Sequence, residues 1–149
     1  MWKEKLMEIS KIEQKYGEVI NKGASEEELE IFIPTVRKEL GIDLPTEYIE
    51  VLKVINGLEF DGYILYGIDM ELLKDEPERN INGLIQNNKD WYENEWNKKY
   101  LFIGDSSMSW YVYDIDAQQY CELDNPSGEE MEVFNSIEDM LYKLLCEAI

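Results

Sequence analysis

Histidine is missing from all 149 residues. That removes the side chain most often used as a general base near neutral pH, the usual partner of Ser and Cys nucleophiles, and the commonest zinc ligand. Cysteine is scarce: Cys121 and Cys146 stand far apart. Two separated thiols cannot build a structural zinc site without other ligands, and in a chain with no export signal they read as reduced thiols rather than a disulfide. No apolar run nears the ~20 residues needed to cross a bilayer. The opening stretch, MWKEKLMEISKIEQKYG, alternates charged and apolar residues and is neither a signal nor a transit peptide. The expectation is a cytoplasmic protein of one domain, residues 1–149.

Signatures of chemistry are equally sparse. NGLIQNNKD and GLEFDGYILYG match neither phosphate-loop nor dinucleotide spacing. GDSSMSW lacks Gly-x-Ser-x-Gly and any base, and reads as a hairpin loop. No catalytic residue, cofactor site or metal site is expected.

Basic residues are few as well. Fourteen Lys and Arg face 33 Asp and Glu, a formal net charge of −19. The excess is uneven: beyond Tyr100 there are eleven acids and a single base, Lys143. Such a surface repels nucleic acid and anionic lipid and attracts cationic partners, although acidity also serves plain solubility.

What is present is well punctuated. Trp2, Leu6, Ile9, Ile12 and Tyr16 recur at steps of three and four, predicting an amphipathic helix that ends at Gly17. Ser25 stands three before Glu28, a capping-box spacing for a second helix, which Pro34 should kink or restart and Gly41 should close. In GIDLPTEYIEVLKVINGLEF, Pro45 suits a first helical position, Leu44, Tyr48, Val51, Leu52 and Ile55 make a stripe, and Asn56-Gly57 suits a left-handed cap. Asp61-Gly62 between apolar runs predicts a tight hairpin. Residues 69–80, with Pro77, read as a loop with one helical turn, and 81–96 as a helix.

YLFIG, SWYVYDID and QYCELD then read as strands, NPSG as a turn and MEVF as a last short strand. Ser136 with Asp139 opens a final helix whose apolar face is Ile137, Met140, Leu141, Leu144 and Leu145. The order predicts an α+β fold: an antiparallel meandering sheet of about four to six strands, with helices mainly on one face.

Asp114 and Asp116, two apart on a predicted strand, would share a face. They read as a solvated strand end; an acid-dependent hydrolase using the pair is the catalytic alternative. Alternation puts Trp110, Val112 and Asp114 on one face and Tyr111, Tyr113 and Ile115 on the other. The Trp110 set is expected under the helices and the Tyr set toward solvent. Trp110, Tyr111, Tyr113, Asp114, Asp116, Glu122 and Asp124 are the candidate contacts for a protein partner, since aromatic residues beside charges suit an interface.

LPTEYIEVLKVINGLEF, YLFIGDSSMSWYVYDID and VFNSIEDMLYKLL, in this order, resemble the signature segments of the SUKH superfamily. Leu44, Pro45, Tyr48, Asn56 and Gly57 carry the first match; GDSSMSW departs from the family's more glycine-rich and acidic hairpin loop. The resemblance implies an α+β domain without catalytic residues. It also implies an immunity protein that neutralises a cognate polymorphic toxin, often a nuclease, with a housekeeping adaptor as the alternative. A nuclease must bind phosphates, so the expected partner is a toxin with a basic cleft, and neither nucleic acid nor membrane is expected.

Overall fold

The computed structural model describes residues 1–73 and 81–149. The predicted loop continues to Asn80, so its Pro77 portion lies outside the described residues. Two compact units are present, each assembled from separate stretches of chain. One gathers Met1–Ile20, Glu59–Ile64 and Lys99–Ile149; the other gathers Asn21–Leu58 and Leu65–Lys98.

The first unit is built on the sheet. The strands are β1 (Leu58–Phe60), β2 (Tyr63–Leu65), β3 (Tyr100–Asp105), β4 (Ser109–Asp114), β5 (Gln119–Asp124) and β6 (Glu130–Phe134). They lie side by side in sequence order, a six-stranded meander. β3 to β6 pair antiparallel in succession. Asp61 and Gly62 both take positive φ, 49° and 82°. That is the mirror-image two-residue turn whose twist suits a hairpin, as the Asp-Gly pair predicted. The predicted second strand stops at Asp114 rather than Asp116 because the Asp114 side chain accepts the Ala117 N–H at 3.1 Å and folds the chain into a turn.

Two helices complete this unit. α1 (Trp2–Lys15) buries Trp2, Leu6 and Ile9, and Gly17 follows it at φ 77°. Tyr16 lies beyond the helix and is exposed. The last helix of the chain (Ile137–Ala148, α5 below) is opened by the Ser136 hydroxyl, which accepts the Asp139 N–H at 3.2 Å. It buries Ile137, Met140, Leu141, Leu144 and Leu145, each worth about 1.5–3 kcal/mol against exposure. This helix packs on β5, β6 and α1.

The helix lies over the Tyr111 face, the reverse of the expectation. Tyr111 is fully buried and its hydroxyl donates to Glu147 of the last helix at 3.4 Å. Register partners share a face, so Ser109, Tyr111 and Tyr113 lie with Asp124, Glu122 and Tyr120. Trp110 is on the opposite face, edge-on to Phe102 at 6.0 Å. Val112 and Phe102 on that face are also fully buried. Both faces are apolar, so alternation could not say which one the helix would take.

The second unit holds α2 (Glu26–Leu40), α3 (Thr46–Val54) and α4 (Leu84–Trp91). Ser25 and Glu28 form the predicted reciprocal capping box, and Gly41 closes α2 in the left-handed conformation at φ 69°. Pro34 neither ends nor restarts the helix, which runs on through it. Pro34 leaves the carbonyl four residues back without its helical donor. One residue on, the Thr35 hydroxyl donates to the Ile31 carbonyl at 2.6 Å. α4 is shorter than the predicted 81–96; a 3-10 turn at Glu95–Lys99 follows it. A second 3-10 turn, Met70–Leu72, supplies the helical turn expected in the loop.

Asn56-Gly57 is not the helix cap. α3 ends at Val54, with Ile55 extended after it. Asn56 is wholly buried and its Oδ1 accepts the Ile68 N–H at 2.8 Å, pinning the segment that follows β2. The Tyr48 hydroxyl donates to the Tyr66 carbonyl at 2.7 Å, and Trp91 Nε1 donates to the Tyr66 hydroxyl at 3.1 Å. Asp69, also buried, accepts the Ile85 and Gln86 N–H groups at 2.9 Å each, capping α4 from a distance. Gly67 and Gly83 bridge in parallel between these clamps. A Cβ on Gly67 would lie 2.6 Å from Asn56 Oδ1. A Cβ on Gly83 would collide with the Asp69 carboxylate. Two of the signature residues, Tyr48 and Asn56, are thus clamps within this unit.

Candidate interaction surface

The candidate contacts fall into three places. Tyr111 and Glu122 turn inward: Glu122 is 2% exposed, and neither presents its side chain to a partner. At one end of the sheet Tyr113 is half-buried against Tyr120, with ring centres 5.0 Å apart. Asp114 and exposed Asp116 lie at the same end. Because β4 stops at Asp114, the two acids do not share a strand face as the sequence predicted. At the other end stand half-buried Trp110 and Asp124. The structure brings none of these into a catalytic constellation. Among the described residues no three Asp, Glu or Cys side chains gather as a metal ion would require.

Glu122 has an internal task. Its carboxylate accepts the Ser109 hydroxyl at 2.6 Å and the Lys143 ammonium at 2.7 Å. Lys143 Nζ also lies 3.7 Å from Glu132 and 3.8 Å from Glu147. The Glu122 hydrogen bond, reinforced by the charges of Glu122, Glu132 and Glu147, raises the Lys143 pKa. The only base beyond Tyr100 is thus spent on fastening the last helix to the sheet. Asp116, Glu129, Glu130, Glu132, Glu138, Asp139 and Glu147 are all exposed.

The loops at the Trp110 end are tied together by hydrogen bonds. The loop of residues 106–108 is closed by Ser106, whose N–H donates to the Ser109 carbonyl at 2.8 Å and whose hydroxyl accepts the Ser109 N–H at 3.1 Å. Asn125 ties the neighbouring turn to it: its N–H donates to the Met108 carbonyl and its Nδ2 to the Ser106 carbonyl. Asp124 caps its own turn by accepting from the Ser127 hydroxyl at 2.7 Å. Gly128 lies under Trp110, where a Cβ would touch the ring at 3.4 Å. Met108 projects from this hydrogen-bonded pair of loops at 71% exposed.

The last short strand read from MEVF is β6, which begins one residue earlier at Glu130; its exposure was not part of that reading. Four of its five residues are exposed, including Met131 and Val133 among the acids Glu130 and Glu132. The signal was available: EMEVF alternates charge with apolar residues and buries only its last member, as an edge strand does.

Among the described residues, five α-helices with a six-stranded antiparallel open sheet define an α+β fold. The sequence matches the SMI1 / KNR4 family (SUKH-1) over residues 23–143. The chain belongs to that family. No curated protein matches it. Among solved structures it is similar to one titled as the crystal structure of a protein from Pseudomonas syringae pv. tomato. The two are 13% identical with a TM-score of 0.55, covering 89% of this chain and 92% of that one. At that identity the likeness is one of fold. Among the described residues no helix is long and apolar enough to cross a membrane.

Proposed function

We propose that this chain is a cytoplasmic immunity protein that neutralises a cognate toxin, a nuclease with a basic cleft, by stoichiometric binding and without turnover. One observation carries the reading. Lys143, the only base beyond Tyr100, is held by Glu122 with Glu132 and Glu147 beside it, so that stretch has no second base to offset its other exposed acids. Such a field speeds encounter with a phosphate-binding cleft, and apolar anchors slow release. Trp110, Tyr113, Asp114, Asp116 and Asp124 are the candidate contacts of the original set that retain some exposure.

Co-expression with the toxin encoded beside this gene tests the proposal. Cells making both should survive and cells making toxin alone should die; death of both, or survival of both, refutes it. Association should also slow as salt rises from low to physiological strength. A second reading, a non-catalytic adaptor with a housekeeping role, is compatible with the family's SMI1 / KNR4 description. An adjoining gene with a secretion domain and a variable toxic tail favours immunity.

A further inference from the structure

β6 lies at the end of the strand order, so one side of its backbone has no neighbouring strand. The opposite edge, β1, offers three residues; β6 offers five. Among the described residues, no loop, turn or side-chain hydrogen bond reaches the backbone of Glu130–Phe134. An edge strand carries outward N–H and C=O groups that can template another strand.

The side chains say which strand fits. Glu132 pairs with Glu122 and so lies on the face of the last helix; Glu130 pairs with Leu123 and lies on the other. A bulge between Glu122 and Leu123 makes Met131 the extra residue and leaves Glu132–Phe134 regular. The edge therefore carries a carboxylate on each face, with Met131 54% and Val133 41% exposed between and beside them. Lys143, which lies 3.7 Å from Glu132, is already bound at 2.7 Å to Glu122. A second copy of this chain is a poor occupant, because pairing β6 with itself brings like charges together.

We propose that the free edge of β6 receives an extended segment of a basic protein as a seventh strand. Its Lys or Arg side chains fall beside Glu130 and Glu132, its apolar ones against Met131 and Val133. Main-chain pairing supplies the binding and the alternation of charge selects the partner. The inference rests on the immunity reading only for the partner's identity, a toxin.

Hydrogen exchange on the full chain tests it, with a short synthetic peptide alternating lysine and valine as probe. At saturating peptide, exchange of amides within Glu130–Phe134 should slow at least tenfold while that of α1 and α2 is unchanged. The same peptide N-methylated at alternate residues, with equal charge but no pairing edge, should have no effect. Glu130→Lys should abolish the protection, and the milder Glu132→Gln should weaken it. Equal protection by the N-methylated peptide, protection that survives Glu130→Lys, or dimerisation of the free protein through β6 overturns the proposal. Survival in the co-expression assay separates the two claims. If wild type and Glu130→Lys protect cells equally well, the edge is wrong and immunity stands. If the peptide protects β6 while co-expressing cells die, the edge stands and immunity falls.

Discussion

Replacing Lys143 by Met should destabilise the protein, and adding two apolar replacements should restore it. The substitution leaves the Glu122 carboxylate, 2% exposed, with Ser109 as its remaining partner. Breaking a fully buried pair costs about 3–5 kcal/mol. Lys143 is 33% exposed, so water can reach the vacated site and the expected cost falls to about 2–3 kcal/mol. In a chain of this size that lowers the melting temperature by roughly 5–10 °C. Converting Glu122 to Leu in the same molecule removes the stranded charge, but leaves the buried Ser109 hydroxyl without its acceptor at a cost of about 1–2 kcal/mol. The triple variant Ser109→Ala, Glu122→Leu, Lys143→Met removes that too. It should return to within about 1 kcal/mol of wild type, since apolar replacements of a buried ion pair are often neutral or better. Urea unfolding followed by far-ultraviolet circular dichroism reads all four proteins. A single variant that loses under about 1 kcal/mol, or a triple variant weaker than the single, would refute the account of a buried charge held by one cation.

Three further outcomes are expected. Burial raises the Asp69 carboxyl above the ordinary carboxylate range, outweighing the Ile85 and Gln86 N–H bonds that lower it. The folded chain holds that proton more tightly than the unfolded one. Its stabilisation is therefore complete below the ordinary carboxylate value and is lost as pH climbs through the raised one. Wild type should lose stability relative to Asp69→Asn across that window in urea titrations at stepped pH; a constant difference contradicts it. Gly83→Ala, whose Cβ meets the Asp69 carboxylate, should cost about 2 kcal/mol or more by thermal melting. Gly62→Ala, with open space around its Cβ, should cost only the roughly 1 kcal/mol of its left-handed backbone. In native protein a thiol reagent should label exposed Cys146 and spare Cys121, which is buried and pushed up to about 11 mainly by desolvation; equal labelling rates refute that placement.

The features legible from sequence were those decided within a few residues. Ser25 and Glu28 form their box, Ser136 caps the last helix and Asp61-Gly62 makes the turn because each involves near neighbours. The features missed depend on distant partners. Asn56-Gly57 has the look of a helix cap, yet Asn56 is bonded to Ile68, twelve positions on. Pro34 reads as a kink or a restart, and α2 shows no restart there. Glu122 reads as a surface acid; its partner Lys143 lies twenty-one residues further on and no local pattern joins them. For the same reason Tyr111 reads as solvent-facing although it is buried and bonded to the last helix. The acid excess was plain in composition, but its display on an edge strand required knowing that β6 comes last in the sheet.

In the first unit, α1 packs against the final helix, so the chain's earliest segment finds its seat only in its latest. During synthesis, Trp2, Leu6 and Ile9 must therefore wait, uncovered, while more than a hundred residues are translated. At ribosomal rates that is roughly five to thirty seconds in which the nascent helix is open to chaperones and proteases. A message truncated before Ile137 would release a product that never hides that stripe, which makes incomplete copies recognisable to quality control.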